Sequence, residues 1–130
     1  MARIATLILV LAGVCGCSDY GERLQFGKGR IYYREGVSEE IARRVGKFLS
    51  EQGLKPGQPY FDDEDRRDVQ VLRDGDRYIV RFFVREDQLK PGLTVGFEDL
   101  MKPALEQKVF EGEKIGLQLC DVDENVLRDL

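Results

Sequence analysis

Three stretches of this chain carry side chains at spacings where chemistry is conceivable. Asp62-Asp63-Glu64-Asp65 gathers four acids of the type that ligates a divalent cation. A calcium loop, however, alternates its ligands and needs a glycine at the turn, and four consecutive acids on an irregular segment cannot all converge. Asp121-Val122-Asp123-Glu124-Asn125 opens like a calcium-binding loop, but position six is Val126 and the chain stops before a twelfth ligand. Gly27-Lys28-Gly29 lacks the spacing of a phosphate-binding loop and no strand precedes it. All three read as solvated loop or tether. The chain has no histidine, so Ser-His-Asp triads, Cys-His dyads and His-ligated zinc or haem fall away. An enzyme built from these residues would have to use Asp and Glu alone as acid and base, and nothing calls for a cofactor.

The cysteines are more informative. Met1-Ala2-Arg3 gives a positive start, and Ile4 to Val14 is an apolar or small run. As a helix it would span roughly 16 Å, against roughly 30 Å of hydrocarbon, which suits the apolar part of a signal peptide and is too short to cross a membrane. Val14-Cys15-Gly16-Cys17 then resembles the bacterial lipobox, in which the final cysteine is acylated. The resemblance implies cleavage before Cys17, a membrane anchor through lipid on Cys17, and a place in the cell envelope facing the periplasm. Ser18 follows the lipid cysteine, with Asp19 only after it, and by the same resemblance that order favours the outer membrane. A plain secretory signal is the competing reading. Cys120 is then left alone, so no disulfide forms within the mature monomer. It closes an apolar alternation and reads as a small core residue rather than a reactive thiol.

Composition agrees with one soluble domain. The full chain of 130 residues carries net charge −4; removing Arg3 with the signal leaves 19 basic against 24 acidic side chains, a balance of −5. Nucleic-acid binders are usually basic, so no nucleic-acid partner is expected.

The elements that would position the candidates follow from pattern. Residues 1–16 are the expected signal, 17–29 the lipidated cysteine and tether, and 30–130 a single α+β domain. Arg30–Arg34 is aromatic and β-branched, a strand. Ser38 is a good N-cap before Glu39 and Glu40, and Ile41, Ala42, Val45, Phe48 and Leu49 recur at helical spacing up to a stop at Gly53. Val69–Leu72 and Arg77–Arg85 flank Asp74-Gly75, a strong hairpin signal. Lys90-Pro91-Gly92 reads as a break. Phe97, Leu100, Met101, Leu105 and Val109 predict a second helix that Pro103 must kink, and Ile115, Leu117 and Leu119 alternate through a final strand. Asp121 to Leu130 reads as a polar tail.

This β-α-β-β-α-β order predicts a ferredoxin-like split β-α-β fold: a four-stranded antiparallel sheet in order 4-1-3-2, with both helices on one face. The strands near 69–72 and 114–120 would be its edges. Tyr32-Tyr33, Gly36-Val37-Ser38-Glu39-Glu40, the Asp74–Tyr78 hairpin, Phe110-Glu111-Gly112 and Leu119-Cys120-Asp121 resemble a family of small uncharacterised bacterial domains. Its members sit behind a signal peptide or membrane anchor. The resemblance covers about residues 30–128, implies the fold and an envelope location, and brings no catalytic residues.

On that fold the sheet face away from the helices would be open and would show Tyr32, Arg34, Arg81, Phe83 and Arg85. The favoured reading is sheet cover, with arginine stems lying along the rings. Tyr, Phe and Arg are enriched at protein interfaces, so the second reading is a surface for an envelope protein partner. The function expected is thus a non-enzymatic accessory or protein-binding domain on a lipid anchor. The alternative is a small carboxylate-dependent periplasmic enzyme. Oligomeric state is not legible in the sequence.

Overall fold

The computed structural model describes residues 20–54 and 57–130. The expected signal and Cys17 lie outside the described residues. Six strands and two helical segments are ordered β-β-α-β-β-α-β-β: β1 (Glu22–Phe26), β2 (Gly29–Tyr33), α1 (Glu39–Glu51), β3 (Arg67–Asp74) and β4 (Arg77–Phe83) come first. A long second helical segment follows, then β5 (Gly116–Cys120) and β6 (Val126–Asp129).

The strands form one mixed sheet in the order β1-β2-β3-β4-β5-β6. Hairpins join β1 to β2, β3 to β4 and β5 to β6, while β2/β3 and β4/β5 are parallel. The fold is still α+β, but it is not the four-stranded antiparallel ferredoxin-like sheet. Two strands escaped the sequence pattern: β1 lies in the expected tether, and β6 in the expected polar tail. Each helix returns the chain to the neighbouring position, so β2 sits beside β3, and β4 lies beyond it. The strands expected at the edges are therefore internal, and β1 and β6 are the edges.

Both helical segments bury their apolar residues in one cluster against Ile31, Tyr33, Val69, Val71, Val80, Phe82, Leu117 and Leu119. They therefore cover the same face. Strands β2 and β4 run in opposite directions, yet both crossovers step the same way across the sheet. The two crossovers must then have opposite hands, one right and one left. A left-handed crossover is rare.

Ser38 caps α1 as its type predicts, its Oγ accepting the Ile41 N–H at 3.2 Å, with Glu39 and Glu40 in the first turn. The helix buries Ala42, Val45, Gly46, Phe48 and Leu49 and stops at Glu51, with Gln52 as its C-cap. Gly46 is needed for packing rather than for backbone freedom. A Cβ there would meet the Phe26 ring at 2.2 Å, so this glycine lets β1 lie beneath the helix.

The second helix starts at Pro91, where the sequence reads as a break. Proline is well placed at the first helical position because the missing N–H has no partner there anyway. From α2 (Pro91–Gly96) the chain passes through a π turn, Phe97–Met101, into α3 (Lys102–Lys108). The Lys102 N–H reaches back to the Phe97 carbonyl, five residues away. Pro103 explains the widened turn: it offers no N–H, and its ring would collide with the carbonyl of residue 99 in a regular helix. The extra residue shifts the helical phase. Phe97, Met101, Leu105 and Val109 stay buried, while Leu100, expected inside, is 53% exposed.

Candidate functional site

The sheet face away from the helices carries a polar row that runs across all six strands. Register aligns Arg23, Tyr32, Gln70, Arg81, Gln118 and Asp129, one residue per strand. Tyr32 and Arg81 are thus not immediate neighbours; Gln70 stands between them. At the centre Arg81 donates from Nε to Gln118 Oε1 at 2.8 Å, and from one terminal nitrogen to Gln70 Oε1 and Glu124 Oε1 at 3.4 Å each. The Gln70 side-chain amide donates to the Tyr20 carbonyl at 2.8 Å. Gln70 is fully buried, and a buried amide is stable only where such partners satisfy it.

Two pieces of chain cover this row. Tyr20 lies across it, its ring stacked on Phe83 at 4.7 Å and set edge-on to Tyr32 at 5.1 Å. Its hydroxyl donates to the Val122 carbonyl. Burial, then the nearby Glu124 carboxylate, holds that hydroxyl above its usual pKa. The second cover is the β5–β6 turn. Asp121 Oδ1 accepts the N–H groups of Asp123 and Asn125 at 2.9 Å, bonds that keep Asp121 below the ordinary carboxylate range. This folds the turn on itself and holds Glu124 at φ 67, in the left-handed region. From there one Glu124 carboxylate bridges Arg81 and Arg34, the latter at 3.0 Å.

The candidate residues therefore divide. Tyr32 and Phe83 meet on the Tyr20 ring, and Arg34 and Arg81 meet on Glu124. Arg85 stands apart, paired with Asp87 at 3.1 Å, and its side chain is 73% exposed. The face expected to be open is covered: Tyr32 is 4% exposed. Sequence reasoning missed Tyr20 because it was read as tether, and Glu124 because its segment was read as tail. The one signal on offer was Gln70, a polar residue in an apolar strand that had to find partners.

Beside Phe83 the sheet end opens into a cleft of about 1150 Å³, whose lining includes Tyr60, Arg67, Asp68, Arg85 and Val122. Tyr60 is buried, and desolvation pushes its hydroxyl up to about 12 despite the Arg67 guanidinium 4.8 Å from its ring centre. Asp62 and Asp68 at the cleft are engaged in structure. Asp62 accepts the N–H groups of Glu64 and Asp65 and is held below the usual range. Asp68 is held between Arg30 at 3.1 Å and Arg66 at 3.3 Å. A general acid at neutral pH needs the opposite shift from that of Asp62. Cys120 is buried, and burial lifts its thiol to about 11, opposed by Arg81, which makes it a poor nucleophile. Among the described residues no group of three or more Asp, Glu, Cys or His is arranged to hold a metal ion. No described helix is long and apolar enough to cross a membrane.

No curated protein and no solved structure matches the chain. A family model does match, that of AF_1994_N, an N-terminal domain, and it spans residues 23–130. Its first matched residue lies in β1, so the family match takes in the strand absent from the sequence pattern. The chain belongs to the AF_1994_N family of N-terminal domains.

Proposed function

We propose that this chain is a cell-envelope lipoprotein, anchored through lipid on Cys17, whose domain is a non-enzymatic accessory or protein-binding module. The reading of the anchor rests on the positive start, the short apolar run and Val14-Cys15-Gly16-Cys17. The reading of the domain rests above all on Asp62 and Asp68 at the cleft, which are spent on backbone N–H groups and arginines. An enzyme that works with Asp and Glu alone would need the reverse. By the same resemblance that supports the anchor, the outer membrane is the favoured site.

The test is acylation in a diderm host. Cys17→Ala should abolish fatty-acid labelling and move the domain to the soluble fraction, while Cys15→Ala should change neither. If the Cys17 variant still labels and pellets with membranes, the proposal is wrong.

A further inference from the structure

We infer that β1 is a self-association edge, through which two copies of this chain join antiparallel, centred on Leu24, into one continuous sheet. The inference does not depend on the lipid anchor.

Among the described residues, β1 and β6 are the strands with a neighbour on one side only. Such an edge offers unpaired N–H and C=O groups to another chain. The two edges are not alike. β6 is four residues long, has a register irregularity opposite Leu119 and Cys120, and ends in Arg128-Asp129. Shortness, a bulge and charge are the usual ways in which an edge is blunted. β1 is five residues long, keeps an unbroken register with β2 from Glu22 to Phe26, and holds no proline or lysine. It is the open edge.

The hairpin fixes which backbone groups face outward. Phe26 and Gly29 close the two-residue loop Gly27-Lys28, with Gly27 at φ +62, and the closing pair of such a hairpin is hydrogen-bonded. Bonding alternates from there, so Phe26, Leu24 and Glu22 bond inward to β2, while Arg23 and Gln25 aim their N–H and C=O groups outward. A second copy centred on Leu24 sets its Gln25 opposite Arg23 and its Arg23 opposite Gln25. Both outward residues then bond, and all five residues of β1 are covered. The side chains match as well. Arg23 is exposed, and no described side chain engages it. The Gln25 amide nitrogen donates to the Gly27 carbonyl at 2.7 Å, which leaves Oε1 to accept from the arginine across the seam. On the helix side the half-buried Leu24 meets its own copy. Centring one residue earlier would set Arg23 against itself, a like-charge pair that destabilises a sheet. Centring one residue later would run Arg23 into the turn at Gly27 and lose its bonds.

Sedimentation velocity at rising concentration tests this, on the full chain carrying Cys15→Ala and Cys17→Ala so that neither lipid nor those thiols join copies. Five residues a side is a small seam, so a concentration-dependent monomer–dimer equilibrium is expected. Gln25→Arg sets two arginine pairs face to face in each dimer and should raise the dissociation constant about tenfold. Adding Arg23→Glu makes both pairs opposite in charge and should restore the dimer, with circular dichroism confirming the fold of each variant. Leu24→Cys is a second measurement. Its Cα atoms would face each other at about 4.5 Å, within disulfide reach, so mild oxidation should link the copies; Cys120 is buried. A monomer at every concentration overturns the inference. So does a dimer that is indifferent to Gln25→Arg, or one that Leu24→Cys does not link.

Discussion

One residue along each strand separates two rows that cross the whole sheet. On the helix side Leu24, Ile31, Val69, Phe82 and Leu119 align; on the far side stand Arg23, Tyr32, Gln70, Arg81, Gln118 and Asp129. The first row is held by burial of apolar area, which is non-directional and tolerant of small shifts. The second is held by bonds of fixed direction around a fully buried amide, and these fail if one partner is missing. The difference shows how the labour is divided. The helix face supplies stability, while the far face fixes where two pieces of chain, Tyr20 and the 121–125 turn, must lie.

The sharpest break in that comparison comes from adjacent phenylalanines. Phe82 is fully buried, with its ring 4.7 Å from Phe97 and 5.2 Å from Tyr60. Phe82→Ala should cost about 3–5 kcal/mol in denaturant unfolding. Phe83 is only partly buried under Tyr20, and Phe83→Ala should cost about 1 kcal/mol, the scale of an aromatic pair. Equal losses, or the reverse order, would mean that the faces do not divide in this way.

A smaller effect is expected from Tyr60, which packs on the helix side beside Phe82. Its hydroxyl titrates near 10 when unfolded and near 12 in the fold, because burial disfavours the phenolate. The protonated form is therefore favoured by the fold. That contribution is complete below pH 10 and is lost as the pH climbs toward 12, a total of about 2–3 kcal/mol. Tyr60→Phe cannot ionise and should lose less stability over the same interval than the wild type. Parallel curves for the two proteins would show that Tyr60 is not sealed from water.

The sequence made the helix face legible because apolar periodicity reports burial whatever the topology. The strands around 31, 71, 80 and 117, the Ser38 cap and the Asp74-Gly75 hairpin were all read from local pattern, and all are present. What stayed hidden was non-local. The sequence Glu22-Arg23-Leu24-Gln25-Phe26 alternates, but it is charged and lies at an edge, where one face meets water. Val126–Asp129 is only four residues long. Without those two strands the remaining order fits a familiar fold, and the wrong strand neighbours follow from it. The candidate site shared that fate. Tyr32, Arg34, Arg81 and Phe83 were found by alternation, whereas the groups that engage them come from chain ends 50 and 43 residues from Gln70 and Arg81. Local spacing carries no record of those contacts.

The cover over the far face is the centre of this account, and nuclear Overhauser contacts in the full chain test it most directly. The Tyr20 ring protons should show strong cross-peaks to Phe83 and Tyr32, whose rings lie 4.7 and 5.1 Å away, and the Gln70 side-chain amide should be protected from solvent exchange. Random-coil shifts for Tyr20, with no ring contacts and a freely exchanging Gln70 amide, would contradict it.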